Sequence, residues 1–375
     1  MSLERINRIC SHEKFVELDG ILITKPQNII YILGFKVESD VVIFIPREDK
    51  KYNDKRIWVF LNALEYDQAR KFIDEDKSLS NIIEIKQIPS GKPNFIYKTI
   101  NKLELNSVGF EDDYISIKRY NEWNEKYKID KFIGSSEIIN SARVKKTRKE
   151  IEAIRRAGEI GDLGFKTIFD GIEEGKTEYE LVAEAEYVMR KAGSEGIPFD
   201  TIVASGENSA YPHAKTTNKK VQDGDIIIVD IGARFGGYCS DMTRTFIFGK
   251  EKESKEKAKL INLVNEAQQY ALDNIKAGVK CADIDKIVRE FFIKKNKEWG
   301  ARFLHSLGHG VGIDIHENPY LSPLSQDVLE ENMVVTVEPG LYIPDQGLGG
   351  ARTEDQILIT KDSFIPFTHS KKIYY

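Results

Sequence analysis

Two rhythms of apolar positions alternate along this chain. Short runs dense in aliphatic and aromatic residues, at residues 20–24, 40–45, 57–60 and 107–110, predict strands. Between them, residues 62–73 and 94–103 carry helical spacing. Interleaved strands and helices predict an α/β domain over the first part of the chain. From Thr147 the period changes: Ile151, Ile154, Ala157, Ile160 and Leu163 share one helical face, while Lys149, Glu152, Arg155 and Arg156 lie elsewhere. A second helix opens at Thr177, which forms a capping-box pattern with Glu180, and runs to Gly193. We place the domain boundary just before the Thr147 helix, with residues 1–140 in one domain and 141–375 in the next.

The order of elements then repeats. Helical spacing over about 257–275 is followed by Gly278, more helical spacing over about 282–297, and strand-like segments to the end. Gly175-Lys176-Thr177-Glu178-Tyr179-Glu180-Leu181 aligns loosely with Gly278-Val279-Lys280-Cys281-Ala282-Asp283-Ile284. The second domain therefore reads as two helix-helix-hairpin units around a shared cleft.

Chemistry enters at the hairpins. Residues 225–233 and 238–246 are β-rich arms joined through Gly236-Gly237. With Phe235 and Gly236 at the tip, Asp230 falls directly opposite Asp241. Opposed side chains lie about 4.5–5.5 Å apart, and like charges there repel unless a cation neutralises them. Further on, three of the six histidines, His305, His309 and His316, fall within twelve glycine-rich residues. Histidine is both a proton shuttle and a common metal ligand. Glu338 ends a strand-like run, Val334-Val335-Thr336-Val337, and Glu354 heads another. Taken singly, each glutamate reads as an ordinary surface carboxylate; the set carries the weight. Four carboxylates balance two divalent cations, and His309 adds a neutral nitrogen. An oxygen-rich, thiolate-free donor set suits manganese or cobalt, with zinc and iron also admissible, and paired cations of this kind ionise a shared water for hydrolysis.

Composition narrows the alternatives. The chain has 375 residues, 41% of them apolar, enough for two cores, and a net charge of −5 with acidic and basic residues interleaved, which argues against a nucleic-acid surface. No apolar run approaches a membrane span and no signal-peptide pattern opens the chain, so the expected setting is the cytoplasm with no membrane partner. Cys10, Cys239 and Cys281 are odd in number and unpaired in spacing, which disfavours a disulfide framework or a cysteine-zinc site.

These residues resemble the pita-bread metallopeptidases, the group containing methionine aminopeptidase, aminopeptidase P and Xaa-Pro dipeptidase (prolidase). The resemblance implies an α/β creatinase-like N-terminal domain that mediates dimerisation and roofs the cleft, followed by an α+β pita-bread domain with pseudo-twofold duplicated units. It implies that Asp230 chelates one metal, His309 and Glu338 the other, and that Asp241 and Glu354 bridge. It assigns His213, in Ser205-Gly206-Glu207-Asn208-Ser209-Ala210-Tyr211-Pro212-His213-Ala214, and His316 to the scissile amide and developing oxyanion. Arg352 becomes the cationic residue that steadies the bridging carboxylates. His305, together with Asn28-Ile29-Ile30-Tyr31-Ile32-Leu33-Gly34-Phe35, points to the proline-directed branch, and His213 and His305 become the candidates for donating to the proline nitrogen. The implied activity is hydrolysis of Xaa-Pro dipeptides by a hydroxide bridging two divalent metals, with Glu338 passing the proton, in a homodimer acting on small peptides. Where some dipeptidases carry an arginine after His316-Glu317-Asn318-Pro319, this chain has Tyr320, which keeps aminopeptidase P activity on longer peptides as the alternative. A non-catalytic binding protein on this scaffold would lack some of the carboxylates, and all are present.

Overall fold

The computed structural model describes residues 3–47, 57–92, 94–249 and 254–375. The chain divides into two compact units, Met1–Arg143 and Val144–Tyr375.

In the first unit, β1 (Gly20–Ile23), β2 (Val42–Pro46), β3 (Ile57–Leu61), β4 (Ile83–Gln87), β5 (Ser107–Phe110) and β6 (Lys131–Gly134) form one sheet ordered β4-β3-β2-β1-β5-β6. β1, β2 and β3 pair antiparallel, while β4, β5 and β6 join in parallel. One face buries Phe44, Trp58, Phe60, Phe110 and Trp123 in a shared aromatic core. The helix Ala63–Glu75 starts where Asn62 accepts the Leu64 N–H, and Ile117–Lys126 starts where Ser116 accepts that of Arg119. Both side chains satisfy donors that a first helical turn leaves unpaired.

The second unit contains the repeat. Its first helix, Arg148–Gly171, is followed by Glu178–Lys191, whose capping box is complete: Thr177 Oγ1 accepts the Glu180 N–H at 3.2 Å, and Glu180 returns a bond to the Thr177 N–H at 2.8 Å. Helices Lys255–Asn274 and Cys281–Lys295 form the second pair. The turns before the two shorter helices match bond for bond. Gly175 (φ +88°) donates to Val221 O at 2.9 Å, and Gly278 (φ +89°) donates to Leu329 O at 2.7 Å. Thr177 bridges Lys220 as Lys280 bridges Val328.

Each half supplies a sheet. β7 (Ile202–Ser205), β8 (Ile226–Ile231), β9 (Arg234–Phe235), β10 (Tyr238–Cys239) and β11 (Met242–Ile247) come from the first half. β12 (Gly308–Gly310), β13 (Glu317–Leu321), β14 (Val334–Val337), β15 (Gly340–Ile343), β16 (Gly349–Arg352), β17 (Asp355–Ile359) and β18 (Phe364–Pro366) come from the second. The larger sheets run β11-β8-β7 and β13-β12-β14-β17-β18. Alternation along β8 sends Ile227, Val229 and Ile231 into a core with Ile160, Ile168, Leu181 and Met189, and turns Asp230 to the other face. In the second half, Val335, Val337, Ile357 and Ile359 meet Leu260, Val264, Val288 and Phe292.

Two sequence expectations change. Leu163 is exposed, and the buried stripe of the first helix continues through Phe165 and Ile168 instead. The hairpin tip is Gly236-Gly237, with φ of +59° and +80°, rather than Phe235-Gly236. A two-residue turn matching strand twist needs positive φ at both centres, which glycine adopts without strain and phenylalanine does not. The register therefore shifts, and Asp230 pairs with Thr243 rather than Asp241.

Candidate metal centre and substrate cavity

Asp230 occupies β8 between Ile202 of β7 and Thr243 of β11. Asp241 immediately precedes β11, and its carboxylate reaches the same space diagonally. His309 lies on β12, Glu338 follows β14, and Glu354 joins β16 to β17. The glycines flanking His309 serve close backbone packing: a Cβ at Gly308 would lie 2.1 Å from Thr336 O, and one at Gly310 2.3 Å from Asn318 O.

The side chains converge. His309 Nε2 lies 3.3 Å from Glu338 Oε1 and 3.6 Å from Asp241 Oδ2. One ligand atom each from Asp241, His309 and Glu354 fits within 4.8 Å of the others. His309 Nδ1 is 3.0 Å from Gly310 O, and a carbonyl only accepts, so Nδ1 carries a proton; Nε2 faces the carboxylates, and although burial opposes it, the hydrogen bond to Glu338 raises the ring's pKa. Thr243 Oγ1 donates to Glu354 Oε2 at 2.7 Å, and Arg352 Nη2 donates to Asp230 Oδ2 at 2.5 Å. The other oxygens of these two residues, Asp230 Oδ1 and Glu354 Oε1, are buried with no hydrogen-bond partner. A buried, unpaired carboxylate oxygen is costly, and a divalent cation is the partner this donor set suits.

Electrostatics agrees with geometry. Burial, followed by the charges of Glu354, Asp230 and Glu338, pushes Asp241 well above the ordinary carboxylate range. Burial, then Glu338 and Asp230, does the same to Glu354. Asp230 is raised by burial with help from Glu338, against the pull of Arg352. Glu338 is the exception: burial opposes its ionisation, yet the His309 hydrogen bond and surrounding positive charge hold it at about 2. The cluster carries more negative charge than Arg352 and His309 can balance, so it is built for added cations.

These five residues line one cavity of about 320 Å³, together with His213, His305, His316, Tyr320 and Arg352. Every residue that the sequence nominated for metal, substrate or catalysis therefore borders the same space. His316 packs edge-on to His309 with ring centroids 4.3 Å apart, and burial, then His309, lowers its pKa. His213 stands exposed on the loop after β7. His305 has a partner at each ring nitrogen. Its Nδ1 is 2.8 Å from Ser306 O, and its Nε2 is 3.2 Å from the Tyr342 hydroxyl. Burial lowers its pKa, and with Nδ1 facing the Ser306 carbonyl the ring meets the Tyr342 hydroxyl through Nε2.

Some participants were not legible beforehand. Tyr342 accepts from Arg352 Nη1 at 2.7 Å and links it to His305; in sequence it is one aromatic in the apolar strand β15. Phe199, Ile202 and Pro212 supply an apolar wall. Thr243 became a partner of Glu354 through the true hairpin register, and correct placement of the Gly-Gly turn would have found it.

Comparison with known proteins agrees with this architecture. Residues 152–361 match the model of metallopeptidase family M24, and residues 3–145 match that of the creatinase/prolidase N-terminal domain. The chain is 34% identical over 369 residues to the Xaa-Pro dipeptidase of Pyrococcus furiosus, covering 98% of this chain and 99% of that one. A solved Xaa-Pro dipeptidase from Bacillus anthracis superposes with a TM-score of 0.90 at 34% identity, covering 99% of both chains. An X-Pro aminopeptidase from Thermotoga maritima superposes with a TM-score of 0.85 at 33% identity, covering 97% of this chain and 99% of that one.

Proposed function

Because the chain belongs to metallopeptidase family M24, we propose that it hydrolyses the peptide bond preceding proline in Xaa-Pro dipeptides. One observation carries the reading: five metal-type ligands and three histidines converge on a cavity that also has an apolar wall of Phe199, Ile202 and Pro212. The wall suits a proline ring, and the polar side suits an amide.

Family membership implies divalent cations, and the orphaned oxygens of Asp230 and Glu354 fit them. Asp230, Asp241, His309, Glu338 and Glu354 would hold two, with manganese or cobalt the better match to an oxygen-rich set. When bound, they supply Lewis-acid polarisation of the scissile carbonyl and an activated water. The chain's own groups do the rest. Glu338, whose Oε1 faces His309 in the cavity lining, is the candidate to accept the proton of the attacking water and deliver it to the leaving nitrogen. That delivery is required, because the nitrogen leaves as an amine and must gain a proton as the C–N bond breaks. His213 and His316 donate to the carbonyl oxygen as it gains charge. Arg352 neutralises Asp230 and orients Tyr342, which in turn fixes the ring of His305 in the cavity lining.

Tyr320 favours a second reading. It lines the cavity where a dipeptide carboxylate would need a cation, and Arg352, the guanidinium in that lining, is already bonded to Asp230, Thr243 and Tyr342. Aminopeptidase P activity on longer Xaa-Pro peptides is therefore the alternative. We also propose a homodimer in the cytoplasm, to be checked by gel filtration. The deciding assay compares Gly-Pro, Gly-Pro-Leu and Gly-Ala with manganese added. Preference for the two proline peptides supports the proposal, and equal rates on Gly-Ala remove it.

A further inference from the structure

The loop that carries His213 has little regular structure. Between the short helical turn Gly206–Ala210 and β8 it makes only bends, turns and one isolated bridge, and His213 itself is exposed. A side chain on such a segment holds a substrate group only if its backbone is tied down. The tie is Glu178, the first residue of helix Glu178–Lys191, which is fully buried. Its Oε1 accepts from Ser205 N at 2.7 Å and Ser205 Oγ at 2.8 Å. Its Oε2 accepts from Thr217 N and Thr217 Oγ1, both at 2.8 Å, and Asn208 Nδ2 donates to both oxygens, at 3.3 and 3.0 Å. One carboxylate thus gathers both ends and the early part of the segment 205–217, with His213 inside the closed span.

The other half is built alike. Asp285, also fully buried and one turn further into its helix, accepts from Leu307 N at 3.1 Å and pairs with Arg289 Nε at 2.6 Å. Arg289 donates to Phe303 O at 3.0 Å and to His305 O at 2.6 Å. His305 again sits inside the clamped span. Neither Glu178, Asp285 nor Arg289 lines the cavity.

We propose that Glu178, and Asp285 with Arg289, are positioning residues, each setting the loop that presents one substrate histidine, His213 and His305 respectively. The proposal rests on the peptidase reading for its kinetic arm only. Glu178→Gln keeps the shape but turns an amide toward donors, so some of these bonds are lost. In the metal-loaded full chain, hydrogen-deuterium exchange should rise across 205–217 and stay as in the wild type across 303–307. Asp285→Asn should do the reverse. Glu178→Gln should lower kcat/KM on Gly-Pro about tenfold, and less than about twofold when His213 is already asparagine, because both changes then act through one group.

Any of three results would overturn the proposal, the first two being an equal kinetic loss with and without His213 and loosening of both loops by either variant. Unchanged exchange in 205–217 would do so as well. The exchange measurement needs no substrate, so it judges the clamps even if Gly-Pro is not cleaved. Thr217→Val removes one donor at a more exposed position and gives the same readouts should Glu178→Gln fail to fold.

Discussion

Replacing Asp241 with asparagine preserves shape and removes one of four crowded negative charges. Ligand atoms of Asp241 and Glu354 lie within 4.8 Å of each other. At an effective dielectric of about 20, two unit charges at that separation repel by about 3.5 kcal/mol. Part of this is relieved when the metal-free protein takes up protons, so the expected gain for Asp241→Asn near pH 8 is on the order of 1–3 kcal/mol. With manganese present the order reverses. The wild type gains about 2.7 kcal/mol at a free metal concentration of 100 Kd, while the variant, short of a ligand, gains little. Urea unfolding with chelator and then with manganese measures both differences. If Asp241→Asn is destabilised by the same amount in both conditions, the repulsion argument is wrong and Asp241 is merely a packed polar residue.

The remaining predictions follow from the same geometry. Asp241 and Glu354 are both raised, first by burial and then by neighbouring carboxylates. Their favourable contribution is therefore complete below about pH 4, the range of the unfolded groups, and is lost as pH climbs toward the raised folded values. Metal-free protein should lose thermal stability between about pH 5 and 8, and metal should flatten that slope; a rise over the same interval would contradict the sign. Gly237→Ala places a Cβ at φ +80° in the hairpin turn and should cost about 1–2 kcal/mol in urea unfolding. Tyr320→Arg puts a cation beside the cavity and should raise the kcat/KM ratio of Gly-Pro over Gly-Pro-Leu by about tenfold, as one charge-assisted hydrogen bond would. No change in that ratio would move the carboxylate subsite elsewhere.

What the sequence determined by itself follows from local physics. Capping at Thr177 with Glu180, and helical periodicity from Thr147, need only neighbours within a few residues, and the helices begin there. The chemical types of the site were also legible, because a set of acids set within or beside aliphatic runs, together with clustered histidines, is rare enough to stand out. Weak local signals were missed. β4 alternates isoleucine with charged residues and β6 is a short, largely exposed edge, so neither carries a dense apolar run.

Tertiary structure decided the rest. The pairing of Asp230 with Thr243 depended on which two residues turn the hairpin, and moving the tip by one residue moves every partner by two along the facing strand. The link from Arg352 through Tyr342 to His305 joins β15, β16 and the histidine segment, and only folding makes these neighbours. Likewise, Glu178 reaches Thr217 across 39 residues, and no periodicity in a chain encodes a bond of that span.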